Sequence, residues 1–212
     1  MKSDQPTIAV VIPAYNAQEW ISNTLDELKD LSIFKQIIVV DDGSADLTAD
    51  EVRKHRFIEL IRLQENRGQH HATWVGIKAS NSDFVLTIDD DLPLSPAAIH
   101  QFIKEGILQN AELAYAQYSR DGNVLSRIGS WLVSKWMSLK FNQQIAGSST
   151  RLISSGLIKS INKDTLDGYL DTHLLKHSEK TIFIPVAGFR PNLASRYSLR
   201  RRVKLFTKLL GS

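Results

Sequence analysis

Three short apolar runs, each stopping abruptly at a polar cluster, constrain the fold of this 212-residue chain more than any other feature. Residues 8–12 (IAVVI) lead into Pro13, Ala14, Tyr15 and Asn16. Residues 37–40 (IIVV) lead into Asp41, Asp42, Gly43 and Ser44. Residues 84–88 (FVLTI) lead into Asp89, Asp90 and Asp91. Continuous β-branched runs of this length read as parallel strands covered on both faces. The stretches between them have helical spacing. Residues 18–31 carry Trp20, Ile21, Leu25, Leu28 and Leu31, and residues 44–55 and 67–80 also read as helices. Strands are expected at 8–12, 36–42, 58–63, 83–91 and 113–118. A further helix is expected at 96–108, with Ser95 as its N-cap and Pro96 in its first position.

Strand and helix thus alternate through residue 118, which predicts an α/β fold with a mixed, mostly parallel central sheet. In such sheets ligands sit at the carboxyl ends of the strands, and all three polar clusters fall at such ends. Beyond residue 120 the pattern changes. Helices are expected at 124–141, 167–177 and 198–210, a strand at 181–186, and a loop or short strand at 146–155. With no linker or repeat, the chain reads as a single domain. Residues 1–118 form one part, 119–197 a second, and 198–212 a basic tail.

Composition narrows the function. Apolar residues make up 42% and charged residues 23%, so a disordered chain, a collagen and a coiled coil are excluded. There is no cysteine, hence no disulfide and no thiolate metal site. No window holds ~18 uninterrupted apolar residues, so no membrane span is expected, and the N-terminus does not read as a signal peptide. The net charge of +3 hides an asymmetry. Arg196, Arg200, Arg201, Arg202, Lys204 and Lys208 crowd the end of the chain without an acid among them, leaving a weakly acidic body.

Three adjacent acids at a strand end repel one another, and burial raises the cost. A divalent cation relieves both, and carboxylates suit magnesium or manganese. Taken alone, Asp89, Asp90 and Asp91 also read as a solvated turn before Pro93. DDGS reads equally as a plain strand-to-helix turn or as a carboxylate acceptor for a base or ribose. Asn66, Arg67, Gly68 and Gln69 read as a helix cap or as a helix start laid against a nucleotide. His70 and His71 diverge on a helix, and His173 and His177 lack the glutamate of an HExxH motif, so zinc is not expected.

The set VVIPAYN, VVDDGS, NRGQHHA and TIDDDLPLSP resembles the inverting glycosyltransferase family 2 with the GT-A fold. Within it, the set is most similar to bacterial polyprenyl-phosphate glycosyltransferases, relatives of dolichyl-phosphate mannose synthase. The resemblance is strong over residues 7–105 and extends through LSRIGSWL, AGSSTRLIS and FRPNLASRYSLRRRVKLF. It implies a nucleotide-diphosphate sugar donor and a polyprenyl phosphate acceptor. It implies that Pro13, Ala14, Tyr15, Asn16 and Asp41 or Asp42 hold the nucleoside, with Gly68 and Gln69 beside it. Asp89 and Asp91, with Asp90 between them, match the DxD-type motif for Mg2+ or Mn2+ and the sugar diphosphate. Arg127 and Arg151 match basic positions that contact the acceptor phosphate or the diphosphate. Arg190, Ser195 and Tyr197 match a late segment near the diphosphate. Two positions depart from the pattern: Pro93 stands where glutamine is usual, and Leu193 where glycine is usual.

A lipid phosphate is already anionic at neutral pH, so its transfer needs no general base, whereas a sugar hydroxyl would need one. No acid besides Asp121 and Asp167 suggests itself for that role. In the tail, Leu199, Val203, Phe206 and Leu210 share one stripe of a helix whose other positions are largely basic. That pattern suits an anionic membrane surface as well as a packed terminal helix. Trp131, Trp136, Met137 and Phe141 form a second stripe, interfacial or core. The expectation is a cytoplasmic enzyme, peripheral at the inner face of the cell membrane, with room for a membrane partner or a homo-oligomer. Three alternatives remain: a soluble family 2 enzyme acting on a saccharide hydroxyl in cell-surface polysaccharide synthesis, an inactive nucleotide-binding scaffold, and a nucleic-acid binder suggested by the tail and a pI of 9.1. The strand-end acids oppose the last, since they would repel phosphates.

Overall fold

A computed structural model describes residues 5–118, 148–161, 166 and 168–187. The strands are β1 (Ile8–Ala14), β2 (Gln36–Asp41), β3 (Glu59–Arg62), β4 (Phe84–Thr87), β5 (Leu113–Tyr118), β6 (Arg151–Ser154) and β7 (Thr181–Val186). They form one sheet in the order β3-β2-β1-β4-β6-β5-β7. β6 runs antiparallel to β4 and β5, and every other pairing is parallel. The expected mixed, mostly parallel sheet is therefore present.

The helices are α1 (Ile21–Asp30), α2 (Thr48–Arg53), α3 (Gln69–Ala79), α4 (Pro96–Leu108), α5 (Ser155–Ser160) and α6 (Leu170–His177). Alternation along β1 divides them between the two faces. Val10 and Ile12 pack with Leu25, Leu28, Val52, Ile99 and Phe102 from α1, α2 and α4. Val11 packs with Trp74, Ile77, Leu157, Leu170 and Leu174 from α3, α5 and α6. α3 lies unusually close to the sheet because Gly76 has no side chain. A Cβ there would stand 2.4 Å from Val11 Cγ1. At α4 the Ser95 hydroxyl accepts from the Ala98 amide at 3.3 Å, and Pro96 occupies the first turn, as the sequence predicts.

Pro13 explains where the sheet opens. Proline is tolerated in a central strand only where its missing N–H has no partner to serve. The Val11 carbonyl accepts from the Ile88 amide at 3.2 Å, so residues of that parity face β4. The paired register of β1 and β4 ends at Val11 and Thr87. Beyond it β1 runs on beside β2 alone, with Pro13 opposite Val40 and Ala14 opposite Asp41. This parting lies between β1 and β4, where the chain reverses its direction of travel across the sheet. Open α/β sheets bind ligands at such a point.

One expectation needs correction. The fourth strand does not reach Asp91; it ends at Thr87. Asp89, Asp90 and Asp91 belong to a turn closed by Leu92 at φ +43°, with the Leu92 amide donating to the Asp89 carbonyl at 3.3 Å. Strand alternation therefore does not set the directions of Asp89 and Asp91. The turn is held instead by Leu92 and Leu94, both fully buried in the core. The 146–155 stretch does contain a short strand, as one of its two expected readings had it: β6 sits in the interior of the sheet, between β4 and β5.

Candidate active site

The tips of β1 and β2 are stitched together by short-range polar contacts. Asn16, at φ +51°, donates its amide to the Ser44 hydroxyl at 2.9 Å, and its side-chain oxygen accepts from the Ala45 amide at 3.0 Å. The Ala17 amide donates to the Thr48 hydroxyl at 2.7 Å. Pro13 and Ala14 are buried and fix the course of the strand, whereas Tyr15 is exposed at the rim.

Asp41 and Asp42 are adjacent and both buried, yet they do different work. Asp42 accepts from the Arg67 and Gly68 amides, each at 2.8 Å. Its carboxylate thus tethers the loop that starts α3. Gly43 makes this junction feasible: it sits at φ +69°, and a Cβ would meet the Glu65 carbonyl carbon at 2.6 Å. One oxygen of Asp41 accepts from the Ser44 amide at 2.9 Å. The other lies 3.2 Å from Arg62 Nε, in ionic contact without a hydrogen bond. Arg62 also donates to the Ser44 carbonyl at 3.3 Å, and with Gly43, Ser44, Leu63 and Gln64 it lines a cleft of about 340 Å³. Of the two acids, Asp41 is the one coupled to this cleft. Arg62 had no signal in the sequence beyond lying in the strand expected at 58–63.

The start of α3 reaches the acidic turn. Gly68 precedes the helix at φ +93°, and the Gln69 side-chain nitrogen Nε2 donates to Asp89 Oδ1 at 2.6 Å. The Ser149 hydroxyl donates to Asp89 Oδ2. The turn is also tied to α1, because the Thr24 hydroxyl donates to the Asp90 carbonyl at 2.8 Å. The Asp90 carboxyl meets the Trp20 indole and the Tyr15 amide. The tips of β1, β2 and β4 are therefore joined in one polar network, as the convergence of the three clusters anticipated.

Asp90 carries the electrostatic cost. Burial, then Asp89 and Asp91, push its carboxyl up to about 7 from the ordinary range near 3.8. The oxygen-only chemistry of this turn suits a hard divalent cation. Each Asp89 oxygen accepts one hydrogen bond, which leaves each a lone pair for a metal. Among the described residues no three His, Asp or Glu side chains close into a complete ligand set. A bound ion would complete its shell with water and substrate oxygens, as magnesium commonly does.

A stability test follows from Asp90. Below about pH 4 the acid is protonated both folded and unfolded, and costs nothing. Between about pH 4 and 7 the folded state retains a proton that the unfolded chain releases, so stability falls as pH rises. The cost is complete above about 7. Without divalent cation, thermal unfolding of the wild type should fall by several degrees over this window relative to Asp90→Asn. Adding Mn2+ at pH 7.5 should recover most of the difference. Parallel melting curves for the two proteins across the window would refute the assignment.

Arg151 is buried and heavily bonded. Its Nε and Nη2 donate to the two oxygens of Asp171 at 2.6 and 2.8 Å, and its Nη1 donates to the Ser149 carbonyl at 2.8 Å. Tyr115 adds a hydroxyl donor to Asp171 at 2.8 Å. Arg151 is therefore not an unpaired cation waiting for a phosphate; it is the centre of a buried cluster. Arg151, Asp171, Gln69, His70 and Ser149 border a second cleft of about 180 Å³. Burial, and to a lesser degree Arg151, lower the His70 pKa and favour the neutral ring, which packs edge-on to Tyr169 at 5.0 Å. Sequence reasoning missed Asp171 and Ser149. Arg127, Arg190, Ser195, Tyr197, Leu193, Asp121 and Asp167 lie outside the described residues, as do the 124–141 stretch and the basic tail.

Residues 9–169 match the model of the family "Glycosyl transferase family 2". The chain belongs to this family. Among its relatives, the undecaprenyl-phosphate 4-deoxy-4-formamido-L-arabinose transferase of Pectobacterium carotovorum is 27% identical over 88% of this chain and 56% of that protein. The poly-beta-1,6-N-acetyl-D-glucosamine synthase of Staphylococcus epidermidis is 29% identical over 79% and 43%, respectively. The chain thus spans about half the length of the curated relatives it matches. Glucosyl-3-phosphoglycerate synthase of Mycobacterium tuberculosis, solved with Mn2+, UDP-glucose and phosphoglyceric acid, superposes with a TM-score of 0.65. That match is 19% identical and covers 96% of this chain and 79% of that one. The fold is GT-A. Among the described residues no helix is long and apolar enough to cross a membrane.

Proposed function

We propose that this family 2 protein transfers one sugar from a nucleotide-diphosphate sugar to a polyprenyl phosphate, inverting the anomeric centre. The observation that carries the reading is the polar network joining Asp41, Asp42, Gln69 and Asp89 across the opening between β1 and β4. Its acids are sequence-distant, and the neighbouring Asp90, buried beside Asp89 and Asp91, has its carboxyl pushed up to about 7. The similarity to undecaprenyl-phosphate sugar transferases supports the acceptor.

In this mechanism Tyr15, Asp41 and Arg62 receive the nucleoside, and Asp89 and Asp91 would hold Mg2+ or Mn2+. The ion, when bound, neutralises charge on the departing diphosphate. Gln69 and Ser149 keep Asp89 oriented. The acceptor phosphate oxygen attacks the anomeric carbon from the face opposite the diphosphate. The carbon–oxygen bond to the diphosphate breaks, and the electron pair leaves with the nucleotide. The phosphate nucleophile is already ionised, so no side chain needs to take a proton. The Asp171 carboxylate, engaged by Arg151 and Tyr115, fits a structural role better than that of a base. Arg127, Arg190, Ser195 and Tyr197 are assigned to the phosphates by resemblance. Residues 1–118 would serve the donor and 119–197 the acceptor within a single domain.

The test is incubation with a panel of nucleotide sugars, Mg2+ or Mn2+, and short polyprenyl phosphates, read by mass spectrometry. A lipid phosphate heavier by one sugar, formed only with the cation, is the expected result. Glycosylation of a free saccharide without lipid would replace the acceptor assignment. Nucleotide binding without turnover would favour a scaffold.

The basic tail is assigned to the anionic inner face of the cell membrane. Replacing Arg200, Arg201 and Arg202 with glutamate should lower partitioning onto vesicles rich in anionic lipid by roughly a hundredfold or more, at ~1 kcal/mol per basic residue. Unchanged partitioning would remove the tail from the membrane-binding account.

A further inference from the structure

We propose that Asp171 is a positioning residue for Asp89, acting through Arg151 and Ser149. This rests on the cation-binding reading of Asp89 and extends it to a residue on a helix outside the acidic turn. The links are short and mostly buried. Both Asp171 oxygens accept from Arg151, at 2.6 and 2.8 Å, in a fork that fixes the guanidinium plane. Tyr115 locks Asp171 from the sheet side at 2.8 Å. Arg151 then uses Nη1 on the Ser149 carbonyl at 2.8 Å. The Thr87 hydroxyl donates to that same carbonyl at 2.8 Å. With its carbonyl clamped from both sides, Ser149 presents its hydroxyl to Asp89 Oδ2.

The arrangement has a physical purpose. Asp89 follows the end of β4 and is no longer held by the sheet ladder. Its side-chain contacts are Gln69, on an exposed helix start, and Ser149, on the partly buried side. The second sets which lone pairs face the opening between β1 and β4. Hydrogen-bond partners that orient a metal-binding carboxylate commonly govern metal affinity by about 10- to 100-fold. A buried ion pair that only stabilised the fold would not need to end on the serine that touches the acid.

The test uses the full chain and measures Mn2+ binding in the presence of uridine diphosphate, by the loss of the free-ion electron paramagnetic resonance signal. Ser149→Ala should weaken Mn2+ about tenfold, and Ser149→Thr, which keeps the hydroxyl, should restore it. Asp171→Asn should weaken Mn2+ to a similar degree. In the Ser149→Ala background Asp171→Asn should add nothing further, because its route is already cut. Arg151→Lys keeps the buried charge pair but not the fork. It serves the same comparison if Asp171→Asn does not fold, with the same expected non-additivity. Wild-type Mn2+ affinity in a folded Ser149→Ala protein would overturn the proposal, and so would losses that multiply in the double variant. A wild type that binds no Mn2+ would overturn the cation reading itself, and the proposal with it. Normal wild-type binding with unaffected variants would overturn the proposal alone.

Discussion

Replacing Asp91 with alanine is expected to reduce sugar transfer by about a thousandfold or more, with Asp89→Ala equally damaging. Removing one preorganised stabiliser of developing charge commonly costs ~10²–10³ in rate, and here the loss would also weaken the ion that serves the leaving group. The chain should remain folded. Leu92 and Leu94, not the acids, anchor the turn in the core. Removing a carboxylate also relieves Asp90, whose proton is held partly by its neighbours' charge. Loss of turnover with unchanged or higher melting temperature is therefore the expected signature. Initial rates at saturating Mn2+, paired with thermal unfolding, measure it. Full activity in either variant would remove the proposed role of that acid.

The second large effect falls on stability. Asp171→Ala strands the Arg151 guanidinium in a buried site. Breaking one partner of a buried ion pair costs about 3–5 kcal/mol, or on the order of 10 °C in melting temperature for a domain of this size. Tyr115→Phe, which removes one neutral donor to the same carboxylate, should cost only ~1 kcal/mol. The charge-free double variant Asp171→Leu with Arg151→Met should recover much of the loss, because the penalty comes from the orphaned charge more than from the missing bond. Chemical denaturation of the four proteins would show the ranking. An Asp171→Ala protein as stable as the wild type would contradict the cluster.

The ease of reading the sequence differed sharply between elements. β1 and β2 were legible because a strand buried on both faces needs an uninterrupted apolar run, and Ile8–Ala14 is buried throughout. The α4 cap was legible because Ser95 and Pro96 act on their own helix. The end of β4 was not. Acidic residues continue a strand pattern on paper, and only the positive φ of Leu92 and its burial show where the chain turns. Asp41 and Asp42 are chemically identical neighbours. Which one tethers a loop and which faces a cleft depends on where residues 65–68 return, 23 or more positions later. β6 was legible only as a loop or short strand, because its polar residues give a buried arginine no apparent place in an inner strand until its partner is known. That partner, Asp171, lies 20 residues away on another element, and no local period links the two. Convergence of the three strand ends was the strongest inference because it follows from sheet topology and does not depend on side-chain detail.

Everything proposed for this protein requires the turn after β4 to hold a nucleotide diphosphate through a divalent cation. The most direct measurement is calorimetric titration of the wild-type protein with uridine diphosphate, with Mn2+ present and after chelation. Saturable binding is expected with Mn2+, lost on chelation and lost in Asp91→Ala at any Mn2+ concentration. Binding of equal strength after chelation, or in Asp91→Ala, would contradict it.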